Sequence, residues 1–261
     1  MTVASEILTR GYTTMSNVLD ARDVGRCLLA LEEIFAAEDD IAVLREWKTP
    51  AYRVAYMLPA KHEVFLELCR PSALSEAAAT LLGADSVIAG FNGLDMRAGG
   101  EPQPLHRDHP VPTPGVPLYL HAVIALDAFT AASGATRIVP ASHLDTEAAP
   151  PFDRFEDAVS RVLLVPGDAV LYDAACIHAG SANRTATPRR ALHVLFARRW
   201  VLPRWDFRGS IRERDAAGLD EERRRLLGFG NTAARYDHET RRSFGYGWGS
   251  RAVDLRLSSE P

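Results

Sequence analysis

The sequence predicts a mainly β domain, an antiparallel barrel or jelly roll with helical flanks, on three observations. The chain has 261 residues, 47% of them hydrophobic, a length at which all-β barrels and sandwiches form one unit and bury enough surface to fold unstapled. From about Ser86, short β-like runs alternate with Gly, Pro and Asn, the rhythm of antiparallel β architectures. Helical periodicity is confined to the stretches before and after. The expected organisation is one domain over 1–261, with a β-core at about 86–200 and helical N-terminal and C-terminal flanks. There is no internal repeat or low-complexity tract.

The elements follow in order. Residues 20–38 form a helix, because Val24, Cys27, Leu28, Leu31, Ile34 and Phe35 share one face at three- and four-residue spacing; Asp20 is its N-cap. A second helix runs from Ser72 to Leu82, with an Ala-rich stretch suited to close packing, and Gly83 ends it. Strands are expected at Ser86–Arg97, Leu118–Asp127, Ala135–Val139, Val162–Val165, Ala169–Tyr172 and Ala191–Trp200. Pro166-Gly167-Asp168 reads as a tight turn without chemistry of its own. Residues 212–227 return to a charged helical pattern ended by Gly228. Arg241 to Pro261, rich in Gly and Ser, is a lid or a loose end.

Composition narrows the function classes. A net charge of −4, from 30 basic and 34 acidic residues, offers no basic face for nucleic acid. Arg198-Arg199 and Arg223-Arg224-Arg225 are short and read as solvated faces. Cys27, Cys69 and Cys176 are odd in number and widely spaced, so neither disulfides nor a zinc finger is expected; a reducing cytosol is the simplest compartment. The N-terminus lacks a signal-peptide pattern. No apolar run approaches the roughly 18 residues needed to cross a bilayer. A soluble, cytoplasmic protein acting on a small molecule is expected, without nucleic acid or membrane partners.

Leu105-His106-Arg107-Asp108-His109-Pro110 carries the central signal. Side chains two apart in an extended segment project to one side, so His106 and Asp108 point together and His109 away. One imidazole and one carboxylate are two-thirds of a 2-His-1-carboxylate face, which leaves positions open as a non-haem Fe(II) oxygenase requires. The third ligand chosen is His178, in Ala175-Cys176-Ile177-His178-Ala179-Gly180; in a barrel its strand can face the first pair across the lumen. An H-x-D tripeptide alone is weak. Further on, Arg189 and Arg190 open an apolar strand that ends at Trp200. An Arg entering the barrel there can grip a carboxylate through its planar fork, although for the pair viewed in isolation two rim arginines on a strand end are the favoured reading.

These segments resemble the phytanoyl-CoA dioxygenase family of Fe(II)/2-oxoglutarate oxygenases, over about Phe91 to Trp200. Gln103-Pro104-Leu105-His106-Arg107-Asp108 is similar to the family's metal motif. Ser133-Gly134-Ala135-Thr136-Arg137-Ile138-Val139-Pro140-Ala141-Ser142-His143 resembles its central segment. Pro166-Gly167-Asp168, His178-Ala179-Gly180-Ser181-Ala182-Asn183 and Arg189 resemble its distal half. The resemblance implies a double-stranded β-helix, a cupin-like jelly roll. It implies His106, Asp108 and His178 as catalytic iron ligands and Arg189 as the partner of the 2-oxoglutarate C5 carboxylate. It further implies Fe(II), 2-oxoglutarate and O2 as the reaction's requirements, with succinate and CO2 released as a C–H bond is hydroxylated. Desaturation, cyclisation or epimerisation can branch from the same chemistry. Related halogenases lack the carboxylate ligand, so Asp108 disfavours halogenation.

Other residues are weighed beside these. His143 is expected to do structural work near a turn. His121 and His193 lie within apolar strands and suit roles behind the ligands. Thr136 and Ser181 can hydrogen-bond a cosubstrate or simply pack a loop, and Cys176 reads as a small buried residue. Leu94, Met96, Tyr119, the N-terminal helices and the tail are expected to line the pocket. A small natural product or amino-acid-like compound is the preferred substrate. Two alternatives stay open: a cupin-type metalloenzyme that needs no 2-oxoglutarate, and a metal-free binding protein on the same fold.

Overall fold

The computed structural model describes residues 2–244 apart from 110, 112, 148–149, 232–234, 238 and 240–241. Nine strands of the core are β1 (Tyr12–Met15), β2 (Tyr52–Ala55), β3 (Val87–Met96), β4 (Tyr119–Ala125), β5 (Thr136–Ile138), β6 (Ser160–Val162), β7 (Ala169–Asp173), β8 (His178–Gly180) and β9 (Arg189–Ala197). They form a six-stranded sheet of order β1-β7-β4-β9-β3-β2 and a three-stranded sheet of order β6-β5-β8, with antiparallel pairing throughout. The two sheets and the helices beside them make the jelly roll that the sequence predicts. A separate two-stranded ribbon joins β10 (Arg235–Asp237) to β11 (Arg242–Phe244).

Strand alternation sorts the side chains into two layers. Leu120, Ala122 and Ile124 of β4, Leu171 of β7 and Leu192, Val194 and Phe196 of β9 pack with the helices on the outer face. Their alternates Val123, Ala125, Val170, Tyr172 and Ala191 face the second sheet, where they meet Phe129, Ile138 and Val162. Both faces of the large sheet are therefore buried, which is why β4 and β9 read as near-continuous apolar runs. The helix Ala21–Ala37 covers the outer face with Val24, Cys27, Leu31, Ile34 and Phe35 buried, and the Asp20 side chain caps it as expected. The helix Ala73–Leu82 has Ser72 as N-cap in a capping box. Among the described residues no helix is long and apolar enough to cross a membrane.

Several expectations need correction. The Val162–Val165 strand ends at Val162; beyond it Leu164 makes only an isolated bridge to Phe129. The last core strand starts at Arg189 and stops at Ala197, leaving Trp200 outside it and 73% exposed. The charged stretch 212–227 is two short helices, Glu213–Ala217 and Glu221–Leu226, separated at Gly218. Its arginines are not simply solvated. Arg224 donates to the carbonyls of Leu219 and Ala216, and Arg225 to those of Ala84 and Ser86. Arg198 likewise donates to the carbonyls of Pro117, Leu82 and Leu81, satisfying orphan acceptors at the end of the Ala73–Leu82 helix. Strands β1 and β2, absent from the sequence reading, flank the large sheet. Beyond Phe244, the tail read as a lid or loose end lies outside the described residues.

Candidate metal centre

His106 and His178 are brought together by backbone pairing. Each N–H donates to the other's carbonyl at 2.9 Å, so the two residues stand directly opposite each other, ring centroids 4.5 Å apart. This differs from the expected approach across the lumen: the partners are side by side on neighbouring extended segments. The turn before β8 sets the position. Cys176 N–H donates to Asp173 O at 2.8 Å and Ala175 N–H to Asp173 Oδ1 at 2.9 Å. The same turn receives Asp108, whose N–H donates to Ala174 O at 3.1 Å. The ligand atoms of His106, Asp108 and His178 all lie within 4.8 Å of one another.

The imidazole tautomers follow from their partners. His106 Nδ1 is 2.9 Å from Pro104 O and His178 Nδ1 is 3.0 Å from Cys176 O. A carbonyl only accepts, so both Nδ1 atoms carry the proton and both Nε2 atoms present a lone pair that a cation can take. His178 is buried, and burial pushes its pKa down to about 4 against the attraction of Asp108. Burial opposes ionisation of Asp108, yet the imidazoles of His178, His121 and His106 outweigh it and hold the carboxyl well below its usual range. The donor set is two neutral nitrogens and one anionic oxygen, which suits a ferrous ion with vacant positions.

Asp108 Oδ2 is already engaged. It accepts from His121 Nδ1 at 2.6 Å and from Tyr172 Oη at 3.3 Å. His121 Nδ1 must therefore bear the proton, and its Nε2 accepts from His193 Nδ1 at 3.2 Å. Tyr172 Oη also reaches His178 Nε2 at 3.1 Å; burial, then the Asp108 charge, raise its pKa well above the phenol range, so it stays a donor. His193 Nε2 is buried without a partner.

All of these side chains line one cavity of about 290 Å³. Arg189 lies at its floor, 3% exposed, its guanidinium carbon 4.0 Å from the Phe129 ring centre. Its Nε has no hydrogen-bond partner, and burial pushes its pKa down to about 10. A buried cation with unfilled donors fits a carboxylate ligand. Arg190 points the other way, binding Asp127 through Nε and Nη2 at 2.8 and 3.0 Å. Thr136 and Leu94 line the cavity; Met96 and Tyr119 do not. Met96 packs against Gly134 and Gly180, and Tyr119 stacks on His109, outside the ligand set. In place of the expected N-terminal helices, Tyr52, Val54 and Tyr56 form a wall. The alternation Tyr52-x-Val54-x-Tyr56 was the sequence signal for that missed strand. Tyr172 could have been placed by its parity with Val170. His143 is structural, with Nε2 3.2 Å from Leu8 O. Cys176 is buried and its thiol pKa is raised by burial. Ser181 Oγ is buried without a partner, outside this cavity.

Comparison with known proteins agrees with the fold. "Dioxygenase trt7" of Aspergillus terreus is 36% identical over 106 residues, 38% of this chain and 36% of that one. "Multifunctional dioxygenase prhA" of Penicillium brasilianum is 28% identical over 177 residues, 62% of this chain and 57% of that one. The chain thus spans about a third to just over half the length of these curated relatives. Among solved structures, HygX from Streptomyces hygroscopicus, with nickel and 2-oxoglutarate bound, matches with a TM-score of 0.65 at 17% identity, over 77% of this chain and 88% of that one. The carbocyclase SnoK from nogalamycin biosynthesis matches with a TM-score of 0.61 at 21% identity, over 75% and 82%. The family model "Phytanoyl-CoA dioxygenase (PhyH)" matches residues 8–191, well over half of the sequence, and the chain therefore belongs to the phytanoyl-CoA dioxygenase family.

Proposed function

We propose that the chain is an Fe(II)- and 2-oxoglutarate-dependent dioxygenase that hydroxylates an unactivated C–H bond of a small molecule, in natural-product biosynthesis. One observation carries the reading: the cavity that holds the His106, Asp108 and His178 donors also holds a buried Arg189 with unfilled donors. A metal-binding site alone has no use for that second feature. A site for a metal and a dicarboxylate needs both.

Bound ferrous iron with 2-oxoglutarate would supply the O2 activation that releases succinate and CO2 and delivers one oxygen atom to substrate. The chain's own residues do the rest. His106 and His178 offer Nε2 lone pairs, held in that tautomer by the Pro104 and Cys176 carbonyls. Asp108 offers a carboxylate oxygen, its group oriented by the hydrogen bonds that His121 and Tyr172 make to Oδ2. With Nε2 of His178 engaged, the Tyr172 hydroxyl is left with the carboxylate as acceptor. Arg189 binds and orients the distal carboxylate of the cosubstrate.

The natural-product setting rests on the nogalamycin origin of SnoK and SnoN and on the fungal dioxygenases among the relatives. Ring closure or epimerisation is the second outcome to test, since those two are named as a carbocyclase and an epimerase. Succinate release from 2-oxoglutarate, assayed with Fe(II) and O2 against a panel of small metabolites, tests the reading. Stimulation by one class and its loss in Arg189→Ala are expected. Turnover unaffected by Arg189→Ala would favour a 2-oxoglutarate-independent enzyme, and failure to take up stoichiometric iron anaerobically would favour a binding protein.

A further inference from the structure

The cavity contains a second guanidinium, on its exposed rim. Arg204 lines the same space as the metal-facing residues, and its Nη2 donates to the carbonyl of Asp108 at 2.8 Å. That single bond tethers the group beside the candidate ligands. Among the described residues no carboxylate lies within ion-pair distance of Arg204 and no acceptor engages its other donors. A planar guanidinium has five N–H donors, so most of its capacity is unused among the described residues. Facing the same space is an apolar, aromatic wall. Tyr52, Val54 and Tyr56 project inward beside Leu94 of β3. The Tyr56 ring is packed by two tryptophans, 5.3 Å from Trp47 and 5.5 Å from Trp205.

We propose that Arg204 anchors a carboxylate on the substrate while the Tyr52–Val54–Tyr56 face takes a ring-containing apolar body, so that the substrate class is a small amphipathic organic acid. The two arginines then divide the work: the buried one serves the cosubstrate and the rim one serves the substrate. Charge-assisted hydrogen bonds from a guanidinium to a carboxylate are directional and strong, and rigid aromatic walls favour flat apolar bodies. The assignment rests on this cavity being the oxygenase site, but the binding preference does not require turnover.

The test is calorimetric titration of the full chain with 2-naphthoate, 2-naphthamide and acetate. The wild-type protein is expected to bind the acid roughly tenfold more tightly than the amide, and acetate without saturation. Arg204→Gln keeps an N–H for the Asp108 carbonyl and removes the charge. It should abolish the acid preference while leaving naphthamide affinity, iron stoichiometry and thermal midpoint unchanged. Arg204→Lys should retain part of the preference, and Tyr56→Ala should weaken both aromatic probes alike. Arg189→Met should keep the preference, which places the probe at the rim. The proposal is overturned if neither aromatic probe binds, if Arg204→Gln keeps the preference, if Arg189→Met removes it, or if Arg204→Gln loses iron, which would make Arg204 a clip for the metal segment. Absence of succinate release in every assay would instead sink the oxygenase reading and leave the acid preference standing.

Discussion

Asp108 has two oxygens, and His121 and Tyr172 keep one of them. Partners of this kind orient a metal ligand, and their loss costs about 10–100-fold in metal affinity. His121→Leu is accordingly expected to weaken Fe(II) binding by about that factor, whereas His121→Asn, whose amide can replace the Nδ1 donor, should restore most of it. Anaerobic Fe(II) titration reads both; equal affinities for wild type and His121→Leu would contradict the role. His178 adds a pH dependence. In the fold it titrates at about 4, against 6.5 for an ordinary imidazole, because it is buried. Between those values the unfolded chain binds a proton that the folded chain refuses. Metal-free protein should therefore lose stability as pH falls from 6.5 to 4, by up to about 3 kcal/mol from this residue. Urea midpoints at pH 7, 5.5 and 4.5 check the sign, and a flat profile would refute it. The H-x-D motif, His178 and Arg189 were legible in the sequence as candidates because each lies in a recognisable segment. Tyr172 was legible only as an inward-facing residue by strand parity, and Arg204 not at all, because its contact with Asp108 spans 96 residues of chain.

Element geometry is tightly set at the turn leading into β7. Gly167 has φ +93°, and a Cβ there would stand 2.4 Å from the Leu19 carbonyl oxygen. The close approach is functional for the fold: Gly167 O accepts from Val18 N–H and Leu19 N–H at 2.8 and 3.1 Å, tying the segment after β1 to the large sheet. Gly167→Ala combines left-handed strain with a backbone clash and is expected to cost about 2–4 kcal/mol. Urea denaturation measures it; a loss below 0.5 kcal/mol, the usual range of surface changes, would show that the turn is not constrained. Pro166-Gly167-Asp168 was readable as a turn from residue type alone, but the reason no side chain fits is a contact with residue 19. The long helices and strands were likewise readable from periodicity, while β1 escaped because a four-residue strand carries little pattern, and β2 was missed despite its short alternation.

For the whole molecule, we propose that residues 1–261 act as one cooperative unit, as the burial of both faces of the large sheet suggests. Far-UV circular dichroism and tryptophan fluorescence should then report one coincident transition; two separated transitions would divide the chain. Fe(II) with 2-oxoglutarate, bound only by the folded state, should raise stability by about 2.7 kcal/mol at a hundredfold excess over Kd, an increment that Arg189→Ala should reduce. What the sequence by itself determined is the set of chemical options: the jelly-roll class through the rhythm of short strands, the family through ordered motifs, and a donor set of two imidazoles and a carboxylate. Only the tertiary structure decided which atoms meet. Backbone pairing of His106 with His178 sets the two imidazoles side by side, and the His193–His121 chain engages one oxygen of Asp108. Strand parity sends Arg189 inward and Arg190 outward. Sequence pattern encodes local periodicity and residue chemistry, but the direction of a side chain in a closed sheet depends on register between segments far apart in the chain, and register is settled by packing.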